Sequence, residues 1–233
     1  MQNLSLFESP YTIRRSARAQ RARINVSAGG VEVVIPAGLA LSEVEPFVND
    51  KRAWIERTLR RMREADAAHP PARLEDGGEV PYLDARLALS VRREPGRKRA
   101  HVACRGDTLS VRLGRPEDLR DALERWYRRE ARREIEPRLD AAAARAGTPY
   151  TKLSIRSQRT RWASCSSSGA MSFNWRLLLG PEAILDYVIE HEVAHLKIHD
   201  HSARFWGLLE SRCPEYETHE RWLRTNGTTL RLP

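Results

Sequence analysis

Four of the seven histidines in this 233-residue chain, His191, His195, His199 and His201, fall within eleven residues. The first two frame the run His191-Glu192-Val193-Ala194-His195, an HExxH pattern inside a segment of strong helical periodicity. On a helix, residues four apart share a face about 6 Å along the axis, so two imidazoles can hold one zinc ion at roughly 2.0 to 2.1 Å. Ile184, Val188, His191 and His195 fall on one stripe, and Asp186, Glu190 and Lys197 on the opposite one. Glu192 therefore flanks the two histidines, where it can deprotonate a water activated by the metal, while Glu190 is expected to be a solvated surface residue. The pattern also arises by chance on helices with a polar histidine face. The apolar setting of this helix and the nearby third histidine favour the metal reading.

If the helix ran on unbroken, His199 would lie about 12 Å along the axis from His191, too far for three imidazoles to meet on one ion. A turn after Lys197 would instead return His201 to the metal and leave Ser202 to cap the next helix. His201 is the expected third ligand, with a carboxylate such as Glu210 as the alternative. Ile198 occupies the place where the metzincin pattern HExxHxxGxxH has its turn glycine. His69, His101 and His219 are isolated and read as ordinary surface or core residues. Three protein ligands leave a fourth position for water, so the implied reaction is hydrolysis assisted by one Zn2+ ion, with Glu192 as the proton acceptor.

The rest of the chain must position these groups. Residues 11–35 read as short strands with a hairpin turning at Gly29-Gly30. Ser42 and Glu45 suggest a capping box opening a helix that ends near Ala68. The stretch from Ala67 to Gly78, with Pro70-Pro71 and Gly77-Gly78, is the best linker candidate. A second strand set spans 87–91, 100–104 and 109–113. A long arginine-rich helix is expected from Pro116 to about Ala146, kinked or split at Pro137. Short strands at 153–155, 161–164 and 170–173 precede three helices at about 181–196, 202–212 and 214–226. No internal repeat is apparent. The expected class is α+β, with a β-rich region over residues 1–115 and the metal-hydrolase region over residues 116–233.

Composition bounds the setting. There are 40 Lys or Arg against 31 Asp or Glu, a net charge of +9, and 36 of the 40 basic residues are arginine. The excess lies away from the histidines: residues 1–150 carry +7 and residues 151–233 only +2. A basic N-terminal half could dock a substrate, a partner or nucleic acid. No apolar run approaches the roughly 18 residues that span a bilayer, so no membrane segment is expected. The N-terminus has no secretory pattern, and three widely spaced cysteines argue against a disulfide framework, so a cytoplasmic location is expected.

Several segments carry a family likeness: Arg161-Trp162-Ala163-Ser164-Cys165, Asn174-Trp175-Arg176-Leu177, His191 to His195 with His201-Ser202, Phe205-Trp206, Pro214-Glu215-Tyr216 and Trp222-Leu223. Together with Arg14-Arg15-Ser16, Ile35-Pro36 and Trp54-Ile55, they make the chain resemble the YgjP-like zinc metallopeptidases, relatives of the SprT and WLM zincins. The resemblance implies a zincin-like catalytic half, a small sheet over the HExxH helix, preceded by a β-rich N-terminal half with a long helix. It carries over His191, His195 and His201 as zinc ligands and Glu192 as the catalytic residue. Ala163 stands where that family usually has glycine. Arg156, Arg159 and Arg161 precede a strand of the expected active-site sheet and could bind an anionic substrate group, or serve only as surface arginines. Cys165 reads as a small buried residue rather than a nucleophile. The expected activity is that of a zinc-dependent metallopeptidase-like hydrolase acting on a peptide or protein. The alternatives are a metal-dependent nucleoside triphosphate pyrophosphohydrolase, a nucleic-acid-associated SprT-like protease, and a zincin that binds metal without turnover.

Overall fold

A computed structural model describes residues 3–4, 11–27, 30–68, 73–114, 118–158 and 160–233. The chain divides into two compact units, residues 1–70 and 71–233. The division falls at Pro70–Pro71 rather than at 115/116, because the strands between these points pack onto the helix that follows them.

In the first unit, β1 (Asn3–Leu4), β2 (Tyr11–Ser16), β3 (Arg23–Ser27) and β4 (Gly30–Pro36) form a sheet in the order β1-β2-β4-β3. β3 and β4 are the hairpin, entered through Gly30 at a φ of 108°, while β2 runs parallel to β4. The alternation of Val31, Val33 and Ile35 turns one face of β4 onto Val44 and Val48 of α1 (Val44–Asp50) and Ile55 of α2 (Arg52–Ala68). The expected capping box does not form. Ser42 lies in a 3-10 turn, Leu41–Glu43, with no side-chain cap, and the helix breaks at Lys51 after the weak helix formers Asn49 and Asp50.

The second unit opens with β5 (Glu79–Tyr82), β6 (Ala85–Arg93), β7 (His101–Arg105) and β8 (Thr108–Leu113), ordered β5-β6-β8-β7. Its three longer strands repeat those of the first sheet 78 residues further on. Tyr11↔Val31 and Ile13↔Val33 become Leu89↔Leu109 and Val91↔Val111, all parallel, and the antiparallel pair Ile24↔Val33 becomes Val102↔Val111. The chain thus contains an internal repeat. Sequence inspection misses it because little more than Arg14-Arg15/Arg92-Arg93, Arg21-Ala22/Arg99-Ala100 and Val33/Val111 is identical, and the core positions exchange one apolar residue for another while the exposed ones differ freely.

Behind β5–β8 lies α3 (Asp118–Ala146), which also forms the floor for the functional half. Leu119, Leu123, Trp126, Tyr127, Ile135 and Leu139 are buried along it. Pro137 does not split this helix. Pro137 leaves the Arg133 carbonyl without its helical donor, and the Arg138 side chain donates a 2.9 Å hydrogen bond to the next carbonyl, that of Glu134. On its far side α3 packs against a three-stranded sheet, β10-β11-β9, made of β9 (Lys152–Arg156), β10 (Ala163–Cys165) and β11 (Ala170–Asn174), and against α4 (Glu182–His195). α5 (Ala203–Arg212) and α6 (Tyr216–Asn226) complete the unit. This is a mixed α+β architecture, and no helix among the described residues is long and apolar enough to cross a membrane.

Leu123 sits fully buried in the middle of the α3 interface. Leu123→Ala should lower unfolding stability by about 3 kcal/mol, measured as a fall in urea midpoint with an unchanged slope.

Candidate metal centre

α4 has little exposed surface. Ile184, Leu185, Val188, Ile189, Val193 and Ala194 are all buried, which covers nearly the whole circumference. Glu190, expected at the solvated surface, is buried instead, and the Arg145 guanidinium of α3 reaches it at 2.6 Å. The reason is that α4 packs against α3 on the side opposite the histidines, so both of its faces are interior.

The helix ends at His195, and Leu196 to Ile198 turn the chain back through backbone bonds to Val193 and Ala194. Asp200 accepts from the Ser202 amide at 3.0 Å, which shapes the entry to α5. This reversal brings His201 back to His191 and His195, so that one ligand nitrogen from each lies within 4.8 Å of the others. His199 is exposed and outside this cluster, as is Glu210 on α5. Phe205, fully buried, underlies all three imidazoles with ring centroids 4.5 to 5.0 Å away, and Trp206 stacks on His201.

The donor set suits a tetrahedral ion. His191 Nε2 and His201 Nε2 are 3.2 Å apart, close to the roughly 3.3 Å that separates two nitrogens on tetrahedral zinc. His195 Nδ1 is 2.9 Å from the Ile198 carbonyl, which fixes that ring and leaves Nε2 to face the cluster. Burial, with His195 and His201 alongside, pushes the His191 pKa down to about 4, and burial lowers that of His195. Both rings are therefore neutral near pH 7, the form that ligates a metal.

Glu192 is 6% exposed. Burial raises its pKa to about 7, against the pull of the Cys165 backbone N–H and the positive charge of Arg161. Its Oε2 has no hydrogen-bond partner among the described residues, and neither has His191 Nδ1. A buried carboxylate oxygen left open beside a cluster of three imidazoles is the arrangement that a water and a metal ion would satisfy. Cys165 lies in β10, with its thiol pKa pushed up to about 11 by burial and by Glu192, so it remains a thiol at neutral pH. Ala163 is accommodated in the extended backbone of β10 opposite Phe173.

Of the three arginines singled out before this sheet, Arg156 ends β9 exposed, Arg161 is exposed beside Trp162, and Arg159 lies outside the described residues. A residue to which sequence reasoning gave no role organises their loop. Asn174, 2% exposed, donates from Nδ2 to the Gln158 carbonyl at 2.7 Å and to the Arg161 carbonyl at 3.2 Å. Its own amide donates to the Trp162 carbonyl, and its Oδ1 accepts from the Arg176 amide. The signal for this was an asparagine at the end of an apolar strand, a position where a side-chain amide commonly replaces backbone pairing.

A model of the YgjP-like metallopeptidase domain matches residues 20–226. The chain belongs to that family. A metallopeptidase domain implies a metal, and the three-histidine cluster is where these residues could hold one. No curated protein matches the chain. Among solved structures, the crystal structure of the metallopeptidase zymogen of Pyrococcus abyssi abylysin is 27% identical over 39% of this chain and 92% of that one, with a TM-score of 0.33.

Two outcomes are expected. Asn174→Ala strips three side-chain hydrogen bonds from a buried position and should cost about 2 to 4 kcal/mol, measured by urea denaturation. In metal-free protein, the folded-state pKa of Glu192 exceeds its usual value of 4.5, so folding favours its protonated form. The resulting cost is absent below pH 4.5 and complete above about 7, so metal-free Glu192→Gln should melt above wild type at pH 8, with the gap closing toward pH 4.

Proposed function

We propose that this protein is a zinc-dependent peptidase of zincin-like architecture, in which His191, His195 and His201 hold one zinc ion and Glu192 is the general base. The observation that carries this reading is the convergence of three imidazoles beside an unpartnered, buried Glu192 oxygen, in a chain of a metallopeptidase family. Zinc, when bound, would supply Lewis-acid polarisation of a water and of the scissile carbonyl.

The remaining work falls to the chain itself. Glu192 Oε2 takes a proton from the attacking water and returns it to the leaving amine. A pKa raised to about 7 by burial suits a group that must both accept and release a proton near neutrality. The Cys165 amide holds the other carboxylate oxygen and keeps the side chain aimed. The Ile198 carbonyl orients His195, and the Phe205 ring excludes water from beneath the histidines. All three cysteines are free, which suits a reducing compartment such as the cytoplasm.

Purified protein should bind one equivalent of zinc by elemental analysis and gain melting temperature with it, and His201→Ala should lose both effects. Glu192→Gln should retain zinc while peptide turnover falls about 10²- to 10⁴-fold, the usual share of a general base. Zinc-free protein that cleaves peptides at the wild-type rate, or a fully active Glu192→Gln, would contradict the proposal.

A further inference from the structure

Beside the β10 end of the functional half lies an open cavity of about 540 Å³, a size typical of ligand sites. Four arginines from four separate segments line it: Arg161 before β10, Arg176 in the 3-10 turn Trp175–Leu179, Arg224 on α6, and Arg231 near the C-terminus. In a chain with 31 acidic residues, none of the described residues lining this cavity is Asp or Glu. Two of the four are held by neighbours, Arg176 over the Trp175 ring and Arg231 by donating to the Thr228 carbonyl.

Four arginines around a hollow with no acidic residue among its described lining favour an anion there, and Arg161 and Arg224 reach it from two separate segments. The remaining wall supplies Asn174, Gln158 and Trp162, whose ring closes against Gly227 at a distance that leaves little room for a Cβ there. The loop carrying Arg161 is pinned by the Asn174 hydrogen bonds, so that part of the wall is preorganised.

The cavity is linked to the metal centre. Arg161 lines it and also acts electrostatically on Glu192, and Cys165, whose amide meets Glu192, lies only three residues beyond Trp162. At about 3.3 Å per residue of extended chain, a group bound there sits roughly 10 Å from the Glu192 contact, about three residues along a peptide.

We propose that this four-arginine cavity is a specificity subsite that binds carboxylate groups of the substrate peptide. The inference rests on the peptidase reading, because the anionic groups that a peptide carries are acidic side chains and its C-terminal end. Arg161 and Arg224 are the specificity-determining residues, guanidinium pairs being suited to bidentate carboxylate binding.

The test uses zinc-loaded, full-length Glu192→Gln protein, so that binding is measured without turnover. Isothermal titration compares three peptides of one sequence: two Glu residues with an amidated end, two Gln residues with a free acid end, and two Gln residues with an amidated end. The first or second should bind about tenfold tighter than the third, the scale of one charge-assisted hydrogen bond, and whichever does so identifies the side chain or the terminus as the source. The advantage should shrink with added salt and in Arg224→Ala and Arg161→Ala, take an intermediate value in Arg224→Lys, and survive in the α3 surface control Arg125→Ala. Three peptides that bind alike, or a cavity that binds inorganic pyrophosphate and no carboxylate peptide, would overturn the subsite. An acidic peptide that binds by these criteria yet is not cleaved by wild-type protein would uphold the subsite and count against the peptidase reading, so the two fail separately.

Discussion

Imidazoles can share a metal only while neutral, and for His191 and His195 burial favours that form. α4 lies between α3 on one side and the Phe205 ring of α5 on the other, and that enclosure lowers the His191 pKa and raises that of Glu192. One environment thus moves His191 and Glu192 in opposite directions from their solution behaviour, with burial as the largest cause for both. The burial of α3 is the foundation of this arrangement, because α3 is the element most extensively packed against α4.

The Arg145–Glu190 pair, buried on the Glu190 side and exposed on the Arg145 side, belongs to the same design. A helix interior on both faces must carry its one misplaced charge into the core, and α3 supplies the counter-ion at 2.6 Å. Such a pair contributes little net stability but would be costly to break from one side, which fixes the rotation of α4 about its axis. The face that presents His191 and His195 is set in part from the opposite face.

The local features of the chain were legible in its sequence. The three-residue spacing within His191 to His195, the reversal before Ser202 and most strands and helices follow from periodicity and turn chemistry acting over a few residues. What escaped depends on contacts distant in sequence. Glu190 reads as a surface residue until the partner helix is known, Pro137 reads as a break until Arg138 is seen to bond across the turn, and Asn174 has no visible role until its loop folds over it. The arginines of the cavity are separated by up to 70 residues, and no local pattern joins Arg161 to Arg231. The repeated sheet was hidden for a different reason: pairing register constrains polarity and size at alternating positions, and identity hardly at all.

That repeated register carries a hazard during folding. Two segments of one chain offer the same strand directions and pairing offsets, the kind of likeness that permits β2 to mispair with β8. The apolar faces cannot discriminate, since Val33 and Val111 are the same residue. Discrimination falls to the other face, where Glu32 of β4 accepts from Arg14 at 2.7 Å and from Asn25 at 3.0 Å, whereas the equivalent of Glu32 in β8 is Ser110. An exposed polar trio worth little as a source of stability therefore distinguishes the β2–β4 pairing, since Ser110 cannot reproduce the carboxylate of Glu32.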